Sequence, residues 1–330
     1  MRAPDFWNVA PASRLARALA PLGALYGALA ARKLAGPADR APVPVVCLGN
    51  FTLGGTGKTP AALAVAERLI ARGQRPVFLS RGYRGALSGP TPVAVDPTRH
   101  SAAEVGDEPL LLARLAPTVI CADRIAGARA AVAAGASVVV MDDGLQNPGL
   151  AKDLSIAVVD GGVGLGSGYC PPAGPLRAPM AAQWPLADAV LIVGPGEPGA
   201  QVAREAQARG KPVLIAEMAP DPSVVAHLQG KPLLAFAGIG RPKKFFDTLR
   251  AAGLDVDSEA TFPDHHPYVD AEIASLARRA NEEGLRLVTT EKDMARLSPA
   301  ARQAGAAAGL RALPARLALD EAALDTLLAR

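Results

Sequence analysis

The chain has 330 residues, of which 50% are hydrophobic and only 4% aromatic, and its formal net charge is +4. This length is sufficient for a large core and for two domains. The small net charge gives no reason to expect a nucleic acid as a partner, the sequence implies no protein partner, and the three cysteines have no metal-ligand spacing and are typical of reduced thiols in the cytoplasm.

The first predicted element is an almost entirely apolar helix over residues 15–31, which basic side chains flank or interrupt. The segment is slightly short for a membrane-spanning helix and contains a proline and two glycines. We expect an amphipathic helix in the membrane surface, with arginines and Tyr26 at the headgroup level and leucines below. An ordinary core helix that packs on the first sheet is the alternative.

The stretch Val45–Pro60 predicts a phosphate-binding loop between a strand and a helix. Its glycines allow the backbone to approach an anion, Lys58 is placed to reach the β- and γ-phosphates, and the Thr59 hydroxyl is placed to bind Mg²⁺. Thr52 departs from the general pattern, which has glycine there, and the alternative is a glycine-rich turn that binds nothing. The predicted nucleotide-binding residues are Thr52, Leu53, Gly54, Gly55, Thr56, Gly57, Lys58 and Thr59.

Two later strand ends carry polar side chains. Arg81 and Arg84 follow the predicted strand 76–80 on a glycine-flexible loop, where an open α/β sheet places its ligand contacts. A solvated surface loop is the alternative. Asp142 and Asp143 follow an unbroken apolar strand and predict a Walker B site for Mg²⁺, with an Asp-Asp-Gly turn as the alternative.

Three further motifs are ambiguous when taken alone. Asp107 and Glu108 begin a predicted leucine-rich helix, where carboxylates also complement the helix dipole. His265 follows Asp264 and fits a general base better than a metal ligand, with surface histidines as the alternative. The segment Thr290–Asp293 resembles a guanine-binding motif, but its lysine is one position late, which argues against a GTPase.

Strands and helices alternate along most of the chain, which predicts an α/β fold of the P-loop NTPase type with a doubly wound, mostly parallel sheet. The character of the sequence changes near Gly230. We therefore predict three parts: an N-terminal amphipathic membrane-surface helix over residues 1–35, a P-loop core over 36–230 and a smaller C-terminal α/β domain over 231–330.

As a set in this order, the motifs resemble the tetraacyldisaccharide 4'-kinase family, and the resemblance covers nearly the whole chain. The family itself has threonine at the position of Thr52. The segments that carry the resemblance are Gly49–Thr52, Gly54–Pro60, Ser80–Tyr83, Gly106–Pro109, Asp142–Gln146, Pro172–Arg177, Gly238–Gly240, Phe262–His266 and Thr290–Asp293.

The resemblance implies that ATP and Mg²⁺ serve to phosphorylate the 4'-hydroxyl of a tetraacylated glucosamine disaccharide 1-phosphate in lipid A biosynthesis. It implies a peripheral or monotopic protein at the cytoplasmic face of the bacterial inner membrane. It also implies a catalytic pair, Asp107 and His265, whose distance in the sequence suggests that domain closure assembles the site. The predicted Mg²⁺ ligands are Thr59, Asp142 and Asp143, and the predicted substrate-binding residues are Arg81, Arg84, Gln146, Arg177 and Arg241.

Two positions depart from the family pattern. Asn147 stands where the family usually has histidine, and Ala178 stands where it usually has glutamate. If that glutamate helps to hold metal or substrate, its role in this chain is vacant or filled elsewhere.

Two other classes of protein share part of the motif set. A membrane-docking switch ATPase would explain the P-loop, the Walker B strand and the N-terminal segment, but not Asp107 and His265. A metal-insertion GTPase would need cysteine or histidine ligands near the P-loop, and Cys47 alone is a poor candidate.

Overall fold

The computed structural model describes residues 4–9 and 11–329 and folds them around two separate sheets. The strands are β1 (Val45–Gly49), β2 (Pro76–Ser80), β3 (Val93–Ala94), β4 (Thr118–Ile120), β5 (Val138–Asp142), β6 (Leu154–Asp160), β7 (Ala189–Val193), β8 (Val213–Pro220), β9 (Leu233–Ala237), β10 (Val256–Thr261), β11 (Arg286–Thr290), β12 (Arg311–Leu313) and β13 (Ala315–Leu319). The helices are α1 (Arg14–Leu34), α2 (Lys58–Ala71), α3 (Ala102–Val105), α4 (Asp107–Leu112), α5 (Arg124–Ala133), α6 (Met180–Gln183), α7 (Glu197–Ala208), α8 (Pro222–Leu228), α9 (Pro242–Ala251), α10 (Asp270–Glu282), α11 (Glu291–Arg296), α12 (Pro299–Ala306) and α13 (Glu321–Leu328).

The larger sheet has nine strands in the order β13-β8-β7-β6-β1-β5-β2-β4-β3. Its neighbouring strands pair in parallel, except that the edge strands β13 and β3 are antiparallel to their neighbours. The inner strands β1, β2, β5, β6 and β7 are buried along their whole length, because helices cover their continuous apolar runs on both faces. The predicted α/β fold with a large, mostly parallel sheet is confirmed.

The order of the strands reverses around β1. From β1 the chain proceeds toward β2 on one side, and after β5 it crosses to β6 on the other. The register pairs Leu48 with Asp142, so β1 and β5 end together, whereas β6 continues to Asp160. Open α/β sheets bind ligands outside the carboxyl ends of the strands at such a switch point.

The smaller sheet consists of four parallel strands in the order β10-β9-β11-β12. Its central strand β9 alternates between two apolar clusters. Phe236 belongs to a cluster with Ile273 of α10, and Ala235 belongs to a cluster with Phe246 of α9. The smaller unit therefore has its own core, with helices on both faces of the sheet.

The last two elements of the chain, β13 and α13, pack with the larger unit, whereas the predicted division at residue 230 assigned them to the smaller C-terminal domain. β13 returns to the larger sheet and pairs with β8, and Leu324 and Leu327 of α13 join the apolar cluster that contains β1. Arg68 of α2 forms a two-point ion pair with Asp325 of α13. This pairing connects residues far apart in the chain, which local sequence patterns do not reveal. A separate domain that begins near residue 231 therefore stays a proposal only for the segment that ends before β13.

The N-terminal helix α1 packs on the larger unit through small residues. A Cβ on Gly23 would lie 2.6 Å from the carbonyl oxygen of Cys170, and one on Gly27 would lie 3.1 Å from a ring carbon of Pro179. Both glycines are buried, so α1 approaches the loop after β6 closely. No helix within residues 4–9 and 11–329 is long and apolar enough to cross a bilayer, and residues 1–3 and 10 of the predicted N-terminal part lie outside the described residues. The large hydrophobic side chains that α1 exposes are Leu15, Leu22, Leu25, Tyr26 and Leu29.

Candidate active site

The glycine-rich loop between β1 and α2 has the geometry of an anion-binding turn. Gly54 (φ 115°) and Gly57 (φ 92°) adopt left-handed backbone that favours glycine, and Gly57 directly precedes α2. A Cβ on Gly54 or Gly55 would meet no atom within 4 Å, so space is open above the loop. The unpaired N–H groups at the start of α2 are a favourable position for a phosphate.

The two aspartates at the end of β5 lie beside this loop. The backbone N–H of Asp143 donates to the carbonyl of Leu48 at 2.8 Å. Lys58 Nζ lies 3.9 Å from Asp143 Oδ1, and Arg177 Nη2 donates to Asp143 Oδ2 at 3.0 Å. Asp142 Oδ1, by contrast, is buried and has no hydrogen-bond partner within the described part of the chain. The adjacent carboxylates therefore have different surroundings, since only Asp143 is paired with cations.

The pKa values of the two carboxyls shift in opposite directions. Burial raises the pKa of Asp142 to about 7, and the charge of Asp143 contributes to the same shift. Burial also acts to raise the pKa of Asp143, but the charges of Lys58 and Arg177 outweigh it and hold that pKa below its usual range. Burial lowers the pKa of Lys58. A metal cation at Asp142 would supply the positive charge that this carboxylate lacks.

The predicted catalytic pair, Asp107 and His265, is in contact in this structure. Asp107 begins α4 in the larger unit, and His265 lies between β10 and α10 in the smaller one. Asp107 Oδ2 and His265 Nδ1 are 3.5 Å apart, and Asp107 is only 4% exposed. We expected domain closure to assemble the pair, but the two units already meet at this point here.

Arg296 of α11, which the sequence analysis did not include, connects this pair to the smaller unit. Its guanidinium binds Asp107 Oδ2 through Nε at 3.1 Å and through Nη2, and Nη2 lies 3.3 Å from His265 Nδ1. Its Nη1 donates to the carbonyl of Gly238 and to Asp293 Oδ1, both at 2.8 Å. A side chain that is 7% exposed thus joins the two units beside the predicted catalytic carboxylate.

Lys292 of the same helix forms a second ion pair between the units. Its Nζ lies 2.7 Å from Glu108 Oε1. Its positive charge also contributes a downward shift to the pKa values of Asp107, Asp142 and Lys58, although burial keeps the pKa of Asp142 raised overall. The catalytic pair, the Walker B strand and the glycine-rich loop therefore share one electrostatic environment.

The sequence contains a signal for the basic residues Lys292 and Arg296. Lys292 lies within Thr290–Asp293, a segment that resembles a guanine-binding motif and also carries part of the family resemblance. Arg296 follows Lys292 by four residues, so both side chains lie on the same face of α11. Their partners on α4 could not be inferred, because the contact between the units depends on the tertiary fold.

The pKa of Asp107 lies below its usual range although the carboxyl is buried. Burial alone would raise this pKa, but the hydrogen bond with His265 and the charges of Lys292 and Arg296 outweigh it. Asp107 is therefore ionised at neutral pH, the state in which a carboxylate accepts a proton.

The neighbouring histidine, His266, has different contacts. Its Nε2 lies 2.9 Å from Glu272 Oε2, and its ring stacks on Phe262 at a centroid distance of 5.0 Å. Within residues 4–9 and 11–329 no group of three or more His, Cys, Asp or Glu side chains is arranged to hold a metal ion. The prediction that His265 acts without His266 is consistent with this geometry.

The loop that carries Arg81 and Arg84 lies beside His265. The rings of Tyr83 and His265 meet edge to face with centroids 6.4 Å apart, and Arg84 Cζ lies 5.6 Å from the Tyr83 centroid. A Cβ on Gly106, just before α4, would lie 2.9 Å from the Tyr83 carbonyl oxygen. The structure therefore brings this arginine loop together with the catalytic pair.

Two other arginines predicted to bind substrate contact the glycine-rich loop itself. Arg177 Nε donates to the carbonyl of Thr52 at 3.2 Å, and Arg241 Nη2 donates to the carbonyl of Gly55 at 3.1 Å. Arg241 also forms an ion pair with Asp160 at the end of β6. Both guanidinium groups consequently lie against the glycine-rich loop.

Gln146 occupies an internal position. Its Nε2 donates to the carbonyl of Asn50 at 2.7 Å and to Gln183 Oε1 at 2.8 Å, so both amide hydrogens are used within the protein. Gln183 in turn donates to the carbonyl of Phe51 at 3.1 Å. These contacts stabilise the backbone between β1 and the glycine-rich loop, and they leave only the Gln146 side-chain oxygen for a ligand.

Three non-glycine residues in the described part of the chain have a left-handed backbone: Arg84 (φ 63°), Asp143 (φ 57°) and His265 (φ 57°). Each belongs to one of the segments that form this site. Such conformations are costly and concentrate where function requires them, so their shared location supports the choice of these segments.

The arrangement fits a nucleoside triphosphate with Mg²⁺. Asp142 Oδ1 and Thr56 Oγ1 are both buried without a partner among the described residues, and the glycine-rich loop that contains Thr56 has open space at Gly54 and Gly55. Mg²⁺ usually takes one or two carboxylates and completes its octahedron with water and phosphate oxygens. Thr59 and Asp142 therefore provide sufficient protein ligands.

Comparisons with known proteins agree with one another. The sequence model of the family described as tetraacyldisaccharide-1-P 4'-kinase matches residues 15–330. A tetraacyldisaccharide 4'-kinase of Methylobacterium sp. strain 4-46 is 59% identical over 98% of this chain and 96% of its own length. That of Methylobacterium nodulans is 60% identical over 91% of this chain and 89% of its own length. A crystal structure of LpxK from Aquifex aeolicus, described as an apo form in complex with ATP, superposes with a TM-score of 0.73 at 26% identity and covers 96% of this chain and 99% of that one.

Proposed function

Because the chain belongs to the tetraacyldisaccharide-1-P 4'-kinase family, we propose that the glycine-rich loop, the end of β5 and the Asp107–His265 pair form the active site for the family's reaction. The protein is an ATP- and Mg²⁺-dependent kinase that phosphorylates the 4'-hydroxyl of tetraacyldisaccharide 1-phosphate in lipid A biosynthesis. One observation carries the assignment of the site: an open phosphate-type loop and a buried, ionised carboxylate lie at the same edge of the larger sheet.

On the nucleotide side, the loop of residues 52–59 acts as a P-loop. Its N–H groups and Lys58 bind the phosphates of ATP. Thr59 and Asp142 would hold Mg²⁺, with Asp143 in support, and the ion would supply positive charge to neutralise the phosphate oxygens. The orphaned oxygen of Asp142 and its raised pKa support this assignment.

On the acceptor side, Asp107 is the group that accepts the proton of the 4'-hydroxyl. The hydroxyl oxygen forms a bond to the γ-phosphorus, the bond between that phosphorus and the oxygen bridging to ADP breaks, and the hydroxyl proton moves to Asp107. Asp107 is ionised before the reaction, as a proton acceptor must be, although its lowered pKa makes it a weaker base than an ordinary aspartate. His265 supports Asp107 from the smaller unit.

We assign the phosphate of the lipid acceptor to the arginine loop. Arg81 and Arg84 lie on the side of the catalytic pair, whereas Arg177 and Arg241 contact the carbonyls of the glycine-rich loop. The 1-phosphate would bind the first two, since guanidinium groups bind phosphate through paired hydrogen bonds. Gln146 contributes mainly by supporting the backbone.

The exposed leucines of α1 support a membrane-surface role. α1 buries small residues against the larger unit and exposes large apolar ones. We propose that this face enters the headgroup region at the cytoplasmic side of the inner membrane, where the acylated acceptor resides. The acyl chains then need not leave the bilayer, which would cost about 0.8 kcal/mol for each methylene group exposed to water.

Transfer of labelled γ-phosphate from ATP to tetraacyldisaccharide 1-phosphate in detergent micelles tests the assignment. Wild type is compared with Lys58→Ala and with Lys243→Ala, since Lys243 is a surface lysine that pairs only with Asp247 within the described structure. We expect labelled lipid from wild type and from Lys243→Ala, and its loss in Lys58→Ala. Full lipid labelling by Lys58→Ala would contradict the proposed P-loop.

A further inference from the structure

The basic groups that bind Asp107 all converge on one of its oxygens. Nε and Nη2 of Arg296 and Nδ1 of His265 approach Oδ2. Three contacts at one oxygen hold that oxygen in place, and the covalent geometry of the carboxyl group then limits the positions of the other oxygen. The second oxygen, Oδ1, therefore keeps a defined direction and stays free of these three contacts, as an oxygen that takes a hydroxyl proton must.

The same guanidinium is held firmly by the smaller unit. Asp293, which binds Arg296 Nη1, is fully buried and also accepts hydrogen bonds from Gly238 N and Tyr268 OH at 3.1 Å and from Thr290 Oγ1 at 2.7 Å. Arg296 cannot turn away from Asp107 without breaking its own bonds to this fixed carboxylate and to the carbonyl of Gly238. The direction of the Asp107 carboxylate thus depends on contact between the two units.

Arg296 also limits how His265 can bind Asp107. A guanidinium has donors and no acceptor, so its 3.3 Å approach to His265 Nδ1 requires a nitrogen without a proton. The 3.5 Å approach of the same nitrogen to Asp107 Oδ2 requires a proton there. The two hydrogen bonds exclude each other, and Arg296 therefore competes with the imidazole for the carboxylate.

From these contacts we propose that Arg296 is a positioning residue, which directs Asp107 toward the acceptor hydroxyl and makes this arrangement depend on the contact between the units. The inference deepens the proposed function and rests on Asp107 as the proton acceptor. The charged and titratable groups that face Asp107 are Arg296 and Lys292 from α11, His265 from the loop before α10, and Glu108 from its own helix.

The test measures kcat, KM for ATP and the pH dependence of kcat in the micelle assay for Arg296→Ala and Arg296→Lys. The matched control is Arg316→Ala, because Arg316 of β13 binds Glu291 of α11 at 3.0 Å but does not reach Asp107. Arg296→Ala should lower kcat about 100-fold or more and leave KM for ATP within about threefold of wild type. Arg296→Lys should recover part of the loss, and Arg316→Ala should behave as wild type.

The acid limb of the kcat profile distinguishes positioning from a merely structural role. Arg296 contributes to the lowered pKa of Asp107, so its removal shifts that pKa upward and any acid limb toward higher pH. An acid limb that moves to lower pH, or a kcat within about threefold of wild type in folded Arg296→Ala, overturns the proposal. If Arg296→Ala does not fold, Arg296→Lys decides by the same criterion, with a smaller expected shift.

Asp107→Asn, measured in parallel, separates this inference from the function on which it rests. An active Asp107→Asn would overturn the role of Asp107 and with it the inference. An inactive Asp107→Asn combined with an active, folded Arg296→Ala would leave the proposed function intact and overturn only the role of Arg296.

Discussion

At the scale of single residues, two glycines next to the nucleotide site lack a side chain for different reasons. A Cβ on Gly49, at the end of β1, would lie 2.3 Å from Leu145 Cβ, whereas a Cβ on Gly55 would meet no atom within 4 Å. The first glycine permits packing, and we propose that the second permits a ligand to approach the backbone.

We predict that Gly49→Ala and Gly55→Ala affect different quantities. Gly49→Ala should lower the free energy of unfolding by about 1–3 kcal/mol, because it overpacks the core against Leu145. Gly55→Ala should change it by no more than about 0.5 kcal/mol but raise KM for ATP. Urea denaturation and ATP titration measure the two effects, and equal destabilisation by both variants would contradict an open loop.

We predict that Asp142 lowers the stability of the metal-free protein and is nevertheless required for activity. Its pKa of about 7 in the folded state exceeds the ordinary 3.8, so ionisation destabilises the metal-free protein as the pH rises from about 4 to about 7. Asp142→Asn should therefore be about 2–4 kcal/mol more stable than wild type at pH 8, equally stable at pH 4, and inactive.

Denaturant unfolding at both pH values, with and without Mg²⁺ and ATP, checks this prediction. Mg²⁺ and ATP should stabilise wild type more than Asp142→Asn, because bound ligand shifts stability by mass action. If Asp142→Asn is less stable than wild type at pH 8 without metal, the prediction is wrong, because other groups of the protein then stabilise the negative charge of Asp142.

At the scale of elements, continuous apolar runs were sufficient to predict β1, β2 and β5, because strands buried on both faces have that pattern. β10 was not predicted, since half of its residues are exposed and polar. β13 and α13 were not predicted either, because their place beside the larger sheet depends on a long-range pairing. Sequence motifs identified the loop and β5 portions of the site, but Glu108, Lys292 and Arg296 required the contact between α4 and α11.

The helix α1 gives a prediction about membrane binding. Replacement of Leu22, Leu25 and Leu29 by glutamate should abolish co-sedimentation with anionic phospholipid vesicles, because it places charge on the exposed apolar face. Ile70→Glu is the control, since Ile70 is an exposed isoleucine on α2. Vesicle binding by the triple variant as strong as by wild type would contradict the membrane-surface role.

At the scale of the whole molecule, the two units meet through ion pairs on both sides of the site. Lys292 and Arg296 reach α4 on one side, and Arg241 and Lys244 reach Asp160 at the end of β6 on the other. Burial alone would raise the pKa of Asp160. Its bonds to Arg241 and Lys244 outweigh burial and hold the pKa below its usual range. The glycine-rich loop and the Asp107–His265 pair thus both lie where the two units meet.

The lowered pKa of Asp160 predicts how the junction depends on pH. A carboxyl with a lowered folded-state pKa contributes stability above its unfolded pKa, near 3.8, and loses that contribution as the pH falls through the folded value. Asp160→Asn should cost about 1–2 kcal/mol at pH 7, with allowance for the half-exposed cations, and progressively less below pH 4. Denaturation over this range tests the prediction, with Asp247→Asn on α9 as the control, and a cost that is independent of pH would contradict it.

We propose above all that Asp107 takes the acceptor proton at a site shared with the P-loop. The direct measurement is the single-turnover rate of phosphate transfer to the lipid by Asp107→Asn at saturating ATP, with the ATP dissociation constant determined on the same protein. We predict a rate about 10²–10⁴-fold below wild type and an unchanged dissociation constant. An unchanged transfer rate would contradict the account, because the proton would then have to leave by a route that does not involve Asp107.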